Sequence, residues 1–390
     1  MADARTWDTD SHAAAAKAEL PPAAFLTAPA EPAPLHLVHL DNANSSFPKP
    51  FAVRAALGSW PDSGALSAMT AGAVEAYVRR KLAQVLGAPD PGRIVLTDYA
   101  TTALEAGVRW LLGSRGAHAV TTAAEHAAVF RALEAAGARV TVVRTDRAGR
   151  WDAEEVSAAF QPDTRLLVVG HASHVTGAIQ PVAQAAAAAQ KAGLAVLVDA
   201  AATVGAIPLS VERLGAEAVV FTGHKYLYGP IGAAGMWVRP GRDLPQLATG
   251  CAPERRTLVG LAAGLDFLIR SGLEAVTAHL QALAAAVARA AADLSHVQVQ
   301  GPKRGEPRAP VVSLTVTGLA PQAVASLLHT RDGIICAAGD HCAPYLHRAL
   351  GTSPAGTLRL APGPFNTDED VAYLAAALER LAVPEMAQAA

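Results

Sequence analysis

The run AVLVDAAATVGAIPLSVERLGAEAVVFTGHK, residues 195–225, holds two apolar stretches that each close on polar residues. AVLVDA (195–200) ends around Asp199, and AVVFT (218–222) ends on Thr222 and passes through a glycine into His224 and Lys225. A lysine set directly after a buried-looking strand loses water. With the water goes proton affinity, which makes the ε-amine a usable nucleophile. A carboxylate at the end of a thoroughly apolar strand likewise calls for a cationic partner.

Further apolar runs flank this stretch: RIVLT (93–97), HAVTT (118–122), RVTVV (139–143), RLLVV (165–169) and AGMWV (234–238). Between them lie segments of helical periodicity, such as TALEAGVRWLL and HAAVFRALEAAG. Strand–helix alternation of this kind predicts an α/β fold, with a mostly parallel seven-stranded sheet covered on both faces. Ligands of such sheets bind at the carboxyl ends of the strands. The rhythm changes after about residue 245, with helices over roughly 256–292, then PVVSLTV (310–316), a helix and TLRLA (357–361). A last helix starts near Thr367, capped by Asn366 or Thr367, with acids in its first turn. The chain thus divides into a large domain over 36–245 and a smaller C-terminal α+β domain over 246–390. Residues 1–35, rich in alanine and proline, read as a flexible tail without the basic start and apolar core of a signal peptide.

The 390 residues are 51% apolar and 17% charged, with a formal net charge of −2, which provides no electrostatic footprint for nucleic acid or an anionic membrane. Alanine-rich runs such as ALAAAVARAAADL are interrupted by polar residues and read as helices with a small-residue packing face. Three widely spaced cysteines make no disulfide framework, so a reducing cytoplasm is the natural compartment.

Polar residues recur at the expected strand ends. Thr101 and Thr102 open a helix in LTDYATTALEAG, where free N–H groups and hydroxyls form a ready phosphate site. His126 follows the next strand, Asp199 closes another, and Thr222, His224 and Lys225 follow AVVF. Singly, each has a structural explanation as a cap or a surface residue. Together they suit a cofactor with an anionic phosphate, a flat ring, a protonated ring nitrogen and an aldehyde that condenses with a lysine. Pyridoxal 5′-phosphate has these features. No second cluster completes a four-ligand metal set around His341, Cys342 and His347.

Seven stretches in order, ATTAL, EHAAV, VVGHASHVTGAIQPV, VDAAATVGAIPLSV, TGHKYLYGP, GDHCAPYLH and GTLRLAPGPFNT, resemble the class V (fold type I) pyridoxal-phosphate enzymes. The resemblance is to the cysteine desulfurase and selenocysteine lyase group, and it runs from HLDNANSSFPKP (39–50) to about residue 381. It implies that Lys225 holds the cofactor and then serves as acid and base at Cα. It implies that Asp199 faces the pyridine nitrogen, that His126 stacks on the ring, and that Thr101, Thr222 and His224 bind phosphate. Arg359 would take the substrate carboxylate, and Cys342 would accept sulfur from L-cysteine as a persulfide, leaving alanine. A homodimer and a sulfur-acceptor protein are implied as well. Cys336, in apolar GIICAAG, reads as structural.

Departures from the group gather around the same residues. His174 stands where asparagine is usual, and Ala202 where glutamine is usual, both near the cofactor's phenolic oxygen. Histidine keeps a hydrogen-bond donor there; alanine does not. Asn44 replaces an alanine near the substrate, Ala337 replaces an arginine, and the segment before ATGCAPERRTLVGL is shortened, with Cys251 close to the missing piece. Three readings stay open: a desulfurase, another pyridoxal-phosphate lyase, epimerase or aminotransferase on a specialised amino acid, and a non-catalytic binding subunit.

Overall fold

The computed structural model describes residues 37–60, 69–248 and 250–381; the tail expected over 1–35 lies outside the described residues. In chain order the elements begin with β1 (Val38–His39), α1 (Phe51–Gly58) and α2 (Ala71–Leu86). Alternation follows through β2 (Ile94–Thr97), α3 (Ala100–Leu112), β3 (His118–Thr122), α4 (Ala127–Ala135), β4 (Arg139–Val143) and α5 (Ala153–Ala158). It continues through β5 (Thr164–Gly170), α6 (Val182–Lys191), β6 (Ala195–Asp199), α7 (Val211–Leu214), β7 (Ala218–Thr222) and β8 (Ala234–Val238). Two long helices come next, α8 (Arg255–Ser271) and α9 (Leu273–Ala292), then β9 (Val297–Gln300), β10 (Val312–Val316) and α10 (Pro321–Asp332). The chain closes with β11 (Ile334–Ile335), β12 (Ala337–Gly339), α11 (Pro344–Leu350), β13 (Thr357–Leu360) and α12 (Asp368–Glu379).

The seven expected strands are present to within one residue at either end and form one sheet in the order β2-β8-β7-β6-β5-β3-β4. Only β8 runs against the rest, antiparallel to both β7 and β2. Strand side chains alternate between the two faces, and both faces are apolar. Leu167, Val169, Val196, Val198, Val219 and Phe221 pack with α2, α6 and α8. Their neighbours Leu166, Val168, Leu197, Ala218 and Val220 pack on the opposite face with α3 and α4. Burying each such Val or Leu fully contributes roughly 1.5–3 kcal/mol, so a shift of one residue in any strand would be opposed on both faces.

A second sheet, antiparallel in the order β12-β13-β10-β9, is covered by α9, α10 and α12. Thr367 caps α12, with its side chain accepting from the Asp370 N–H and the Asp370 side chain answering the cap N–H. The apolar stretch expected to be helical over 256–292 is two helices, because Gly272 takes φ +82 at their junction. Of the two, α9 is long and apolar enough to span a membrane by composition; here Leu280, Leu283, Ala284, Val287 and Ala291 are buried in the protein. The strands β1, β9, β11 and β12 are not evident in the sequence; two to four residues are too few to display a period.

Packing does not follow a single chain boundary. Val38 and Leu40 belong to the core of the second sheet, while α8 packs against α1 and α2 beside the first. The segment after β1 therefore crosses from one sheet to the other. It pairs with the second sheet's side through Val38 and Ile334 and through Asp41 and Ala361, then reaches the end of β7, where the Ser46 N–H donates to the His224 carbonyl at 3.0 Å.

Candidate active site

The carboxyl ends of β3, β5, β6 and β7 open into a cavity of about 340 Å³, lined among others by Asn44, Thr101, Glu125, His126, His174, Asp199, Thr222, Lys225, Cys342 and Arg359. That volume suits a small organic ligand.

The sheet side of the cavity is built from strand ends. At β7, Thr222 is followed by Gly223, His224 and Lys225. Lys225 Nζ has no hydrogen-bond or ion-pair partner among the described residues, and burial lowers its pKa to about 8. The charge of Arg359 works in the same direction, while Asp199, Asp41 and Cys342 oppose it. The chain can hold Lys225 here because the turn after β6 passes close by. Gly205, at φ +82, leaves no room for a Cβ, which would lie 2.2 Å from the Tyr226 carbonyl oxygen. At β6, Asp199 Oδ1 accepts from the Ala201 N–H at 2.9 Å. Among the described residues His224 Nδ1 is buried without a hydrogen-bond partner; burial lowers the ring to about 4, with Lys225 and Lys49 adding to the effect and the Asn44 backbone opposing it. The His224 carbonyl accepts from Lys49 Nζ at 2.8 Å, and burial lowers that amine to about 8.

At β3 the chain turns sharply into α4. His126 caps the helix, its Nδ1 accepting from the Ala128 N–H at 3.0 Å, and burial lowers its pKa. Glu125, 2% exposed, accepts from the Thr122 hydroxyl at 2.6 Å; burial pushes its carboxyl up to about 8, reinforced by Asp199. Thr101 sits exposed in the first turn of α3, where backbone N–H groups lack helical partners.

The opposite side comes from the second sheet and its loops. Arg359 lies in β13, between Ser313 of β10 and Ala337 of β12. Its Nη2 donates to Asp41 Oδ1 at 3.2 Å, its Nη1 donates to the His174 carbonyl at 3.2 Å, and its Nε is buried with no partner among the described residues. Asn44 Nδ2 donates to the other Asp41 oxygen at 3.3 Å. Cys342 is exposed, with its backbone at φ +60.

The sequence profile described as Aminotransferase class-V matches residues 62–256 and 242–374, most of the chain. The chain belongs to the class-V aminotransferase family. Relatives within it carry a common name. A cysteine desulfurase IscS of Anaeromyxobacter dehalogenans is 31% identical over 327 residues, covering 77% of this chain and 79% of that protein. A probable cysteine desulfurase of Halalkalibacterium halodurans is 28% identical and covers 88% of this chain and 93% of its own length. Among solved structures, a cysteine desulfurase from Thermococcus onnurineus NA1 superposes with a TM-score of 0.77 at 26% identity, covering 88% of this chain and 94% of that one.

In this class-V chain most of the residues singled out from sequence meet in the cavity, Ala202 included, and two expectations need correction. Thr102 is not among the lining residues: its hydroxyl donates to Asp98 Oδ1 at 2.7 Å, an i to i−4 contact between side chains at the start of α3. His174 does line the cavity but has no donor left for a cofactor. Its Nε2 bonds the His341 carbonyl at 2.9 Å, and a carbonyl only accepts, so Nε2 carries the hydrogen. Burial holds the ring well below its usual pKa, so it is neutral and this is its only N–H. Cys251 lies outside the cavity and its carbonyl accepts from the Asp98 N–H at 2.8 Å, setting the shortened segment against the α3 terminus. Cys336 packs against the second core, and burial pushes its thiol up to about 12. His341 and His347 each spend a ring nitrogen on a protein oxygen, Thr357 O and Thr352 Oγ1.

Sequence reading assigned no role to Glu125, Asp41 or Lys49. The first two carried a usable signal, since each is a lone carboxylate beside an apolar run and must be paired or neutralised when buried. Lys49, followed by proline in FPKP, resembles a surface turn and carried none.

Proposed function

We propose that this protein is a pyridoxal 5′-phosphate-dependent cysteine desulfurase that moves the sulfur of L-cysteine onto Cys342 and releases L-alanine. One observation carries the reading: a single cavity is lined by a desolvated, unpaired lysine amine, an exposed thiol and a buried arginine. The names carried by the relatives support the same activity.

The residues fit the cofactor. The unpartnered His224 Nδ1, Thr101, Thr222 and the N-terminus of α3 would hold its phosphate, Asp199 would meet its ring nitrogen, and His126 would cover its ring. Lys225 would hold its aldehyde carbon. When bound, the cofactor supplies a sink for electrons at the substrate's Cα.

The protein's own groups perform the remaining work. Arg359 binds the substrate carboxylate through its free N–H groups, with Asn44 alongside. Lys225, near pKa 8, takes a proton from Cα and later returns one. Cys342, as thiolate, attacks the substrate sulfur: the S–S bond forms, the Cβ–S bond breaks and Cβ gains a proton. Cysteine plus thiol thus becomes alanine plus persulfide, with no outside oxidant or reductant. Exposure of Cys342 leaves the persulfide open to an acceptor thiol or protein. All three cysteines are free, which supports a cytoplasmic setting. Exposed Phe47, Phe51 and Ile231 support a homodimer, to be checked by light scattering.

The test is to load the protein with pyridoxal phosphate, add L-cysteine with a reducing thiol, and assay sulfide and alanine together. Equal amounts are expected, with Cys342→Ala losing both and borohydride fixing the cofactor on Lys225. Pyruvate and ammonia in place of alanine would overturn the assignment in favour of elimination, and a label elsewhere than Lys225 would overturn the cofactor chemistry.

A further inference from the structure

His341 and Cys342 are consecutive non-glycine residues at φ 48 and φ 60. Left-handed backbone is unfavourable for any residue with a Cβ and persists only where the surroundings over-determine it. The ties that hold this turn are specific. The Cys342 N–H donates to Asp340 Oδ1 at 3.1 Å, and its carbonyl accepts from the Ala127 N–H at 2.8 Å. The Ala343 N–H donates to the Asp340 carbonyl at 2.8 Å, and the His341 ring bonds the Thr357 carbonyl at 3.0 Å. The His341 carbonyl takes the fifth tie, from His174 Nε2.

His174 differs from the other partners in what else it holds. Its own backbone carbonyl accepts from Arg359 Nη1. One residue therefore touches both the arginine and the loop of the thiol, by its main chain on one side and its ring N–H on the other. Its ring also stands 5.1 Å from that of His126, centroid to centroid. Because the ring is neutral with one hydrogen, the tie is directional. An aromatic ring without N–H cannot replace it, whereas a glutamine amide can.

We propose that His174 is a positioning residue which fixes the Cys342 thiol relative to Arg359, setting the approach of the thiol to substrate sulfur. This rests on Cys342 being the sulfur acceptor. A reacting atom displaced by about 1 Å can cost on the order of 100-fold in rate, and that is the effect expected when the tie is lost.

The experiment compares His174→Phe and His174→Gln with the wild-type holoenzyme. His174→Phe should retain cofactor absorbance and the half-saturation for the spectral change on adding L-cysteine, but slow single-turnover persulfide formation by about 100-fold. His174→Gln should recover most of the rate. Deuterium exchange across residues 340–343 of the cofactor-free protein should be about tenfold faster in His174→Phe and near wild type in His174→Gln. Should His174→Phe not fold, His174→Ala takes its place in the same assays. Wild-type persulfide rates in the donor-less variant, or equal losses in the Phe and Gln variants, would overturn the proposal. Cys342→Ala separates the levels: if it still forms alanine from L-cysteine, the acceptor assignment itself is wrong and this inference goes with it.

Discussion

The two sides of the cavity are built by different means. On one side, Gly170, Asp199 and Thr222 are the terminal residues of β5, β6 and β7, strands packed on both faces, so their positions follow from the register of parallel neighbours within one sheet. On the other, Arg359 comes from an antiparallel sheet, Cys342 from a left-handed turn and Asp41 from the crossing segment, joined by hydrogen bonds between stretches far apart in sequence. The first side is held by hydrophobic burial, which is non-directional and cooperative; the second by a few directional polar contacts. Local change should therefore be felt more at the second side, with the first failing only when its chemistry is removed.

Lys225→Ala should produce the largest effect, because it removes the amine without disturbing the apolar strands. Turnover of L-cysteine should fall by about 100- to 10,000-fold, measured as alanine release, while the melting temperature stays close to wild type. A collapse in stability would show that the lysine side is less independent of its chemistry than the sheet implies. Arg359→Lys comes next. Lysine keeps the charge but cannot hold Asp41, the His174 carbonyl and a substrate carboxylate together, so KM for L-cysteine should rise by about 10- to 100-fold, with a smaller change in kcat.

Glu125→Gln probes the sheet side through a buried carboxyl. A carboxyl raised to about 8 in the folded protein, against an ordinary 4.5, holds a proton that the unfolded chain gives up. Its contribution is fully present below pH 4.5 and is lost as pH rises through 8, so the wild type should lose stability across that window. Glutamine has no proton to lose. Thermal melts should therefore diverge with pH, the variant gaining about 3 °C or more on the wild type by pH 8 relative to pH 5. The smallest effect is expected outside the cavity lining: Thr367→Ala removes the α12 cap and should cost about 1 kcal/mol in urea melts with kcat unchanged.

The strands of the first sheet were legible because each is a run of five or so apolar residues, long enough to be recognised without knowing its partners. The residues at their ends were legible only as a set: singly each could cap a helix or face solvent, but together they match the groups of one cofactor. The second side was legible only through resemblance to a known group. Nothing in GDHCAPYLH signals that His341 and Cys342 turn left-handed, nor in GTLRLAPG that Arg359 meets Asp41 from a segment over 300 residues earlier. Thr102 and His174 were misread for the same reason: residue type reports what a side chain can donate, and the neighbours decide where the donation goes.

By itself, then, the sequence determined the α/β alternation, the seven strands and the set of reactive residue types, because these depend on composition and short-range period. Tertiary structure alone decided which of those residues share a cavity, that Lys225 is left unpaired there, that Glu125 is driven toward neutrality, and that the one N–H of His174 is spent on the Cys342 loop. Burial and hydrogen-bond partners are properties of the packed chain, and they set proton affinity and orientation.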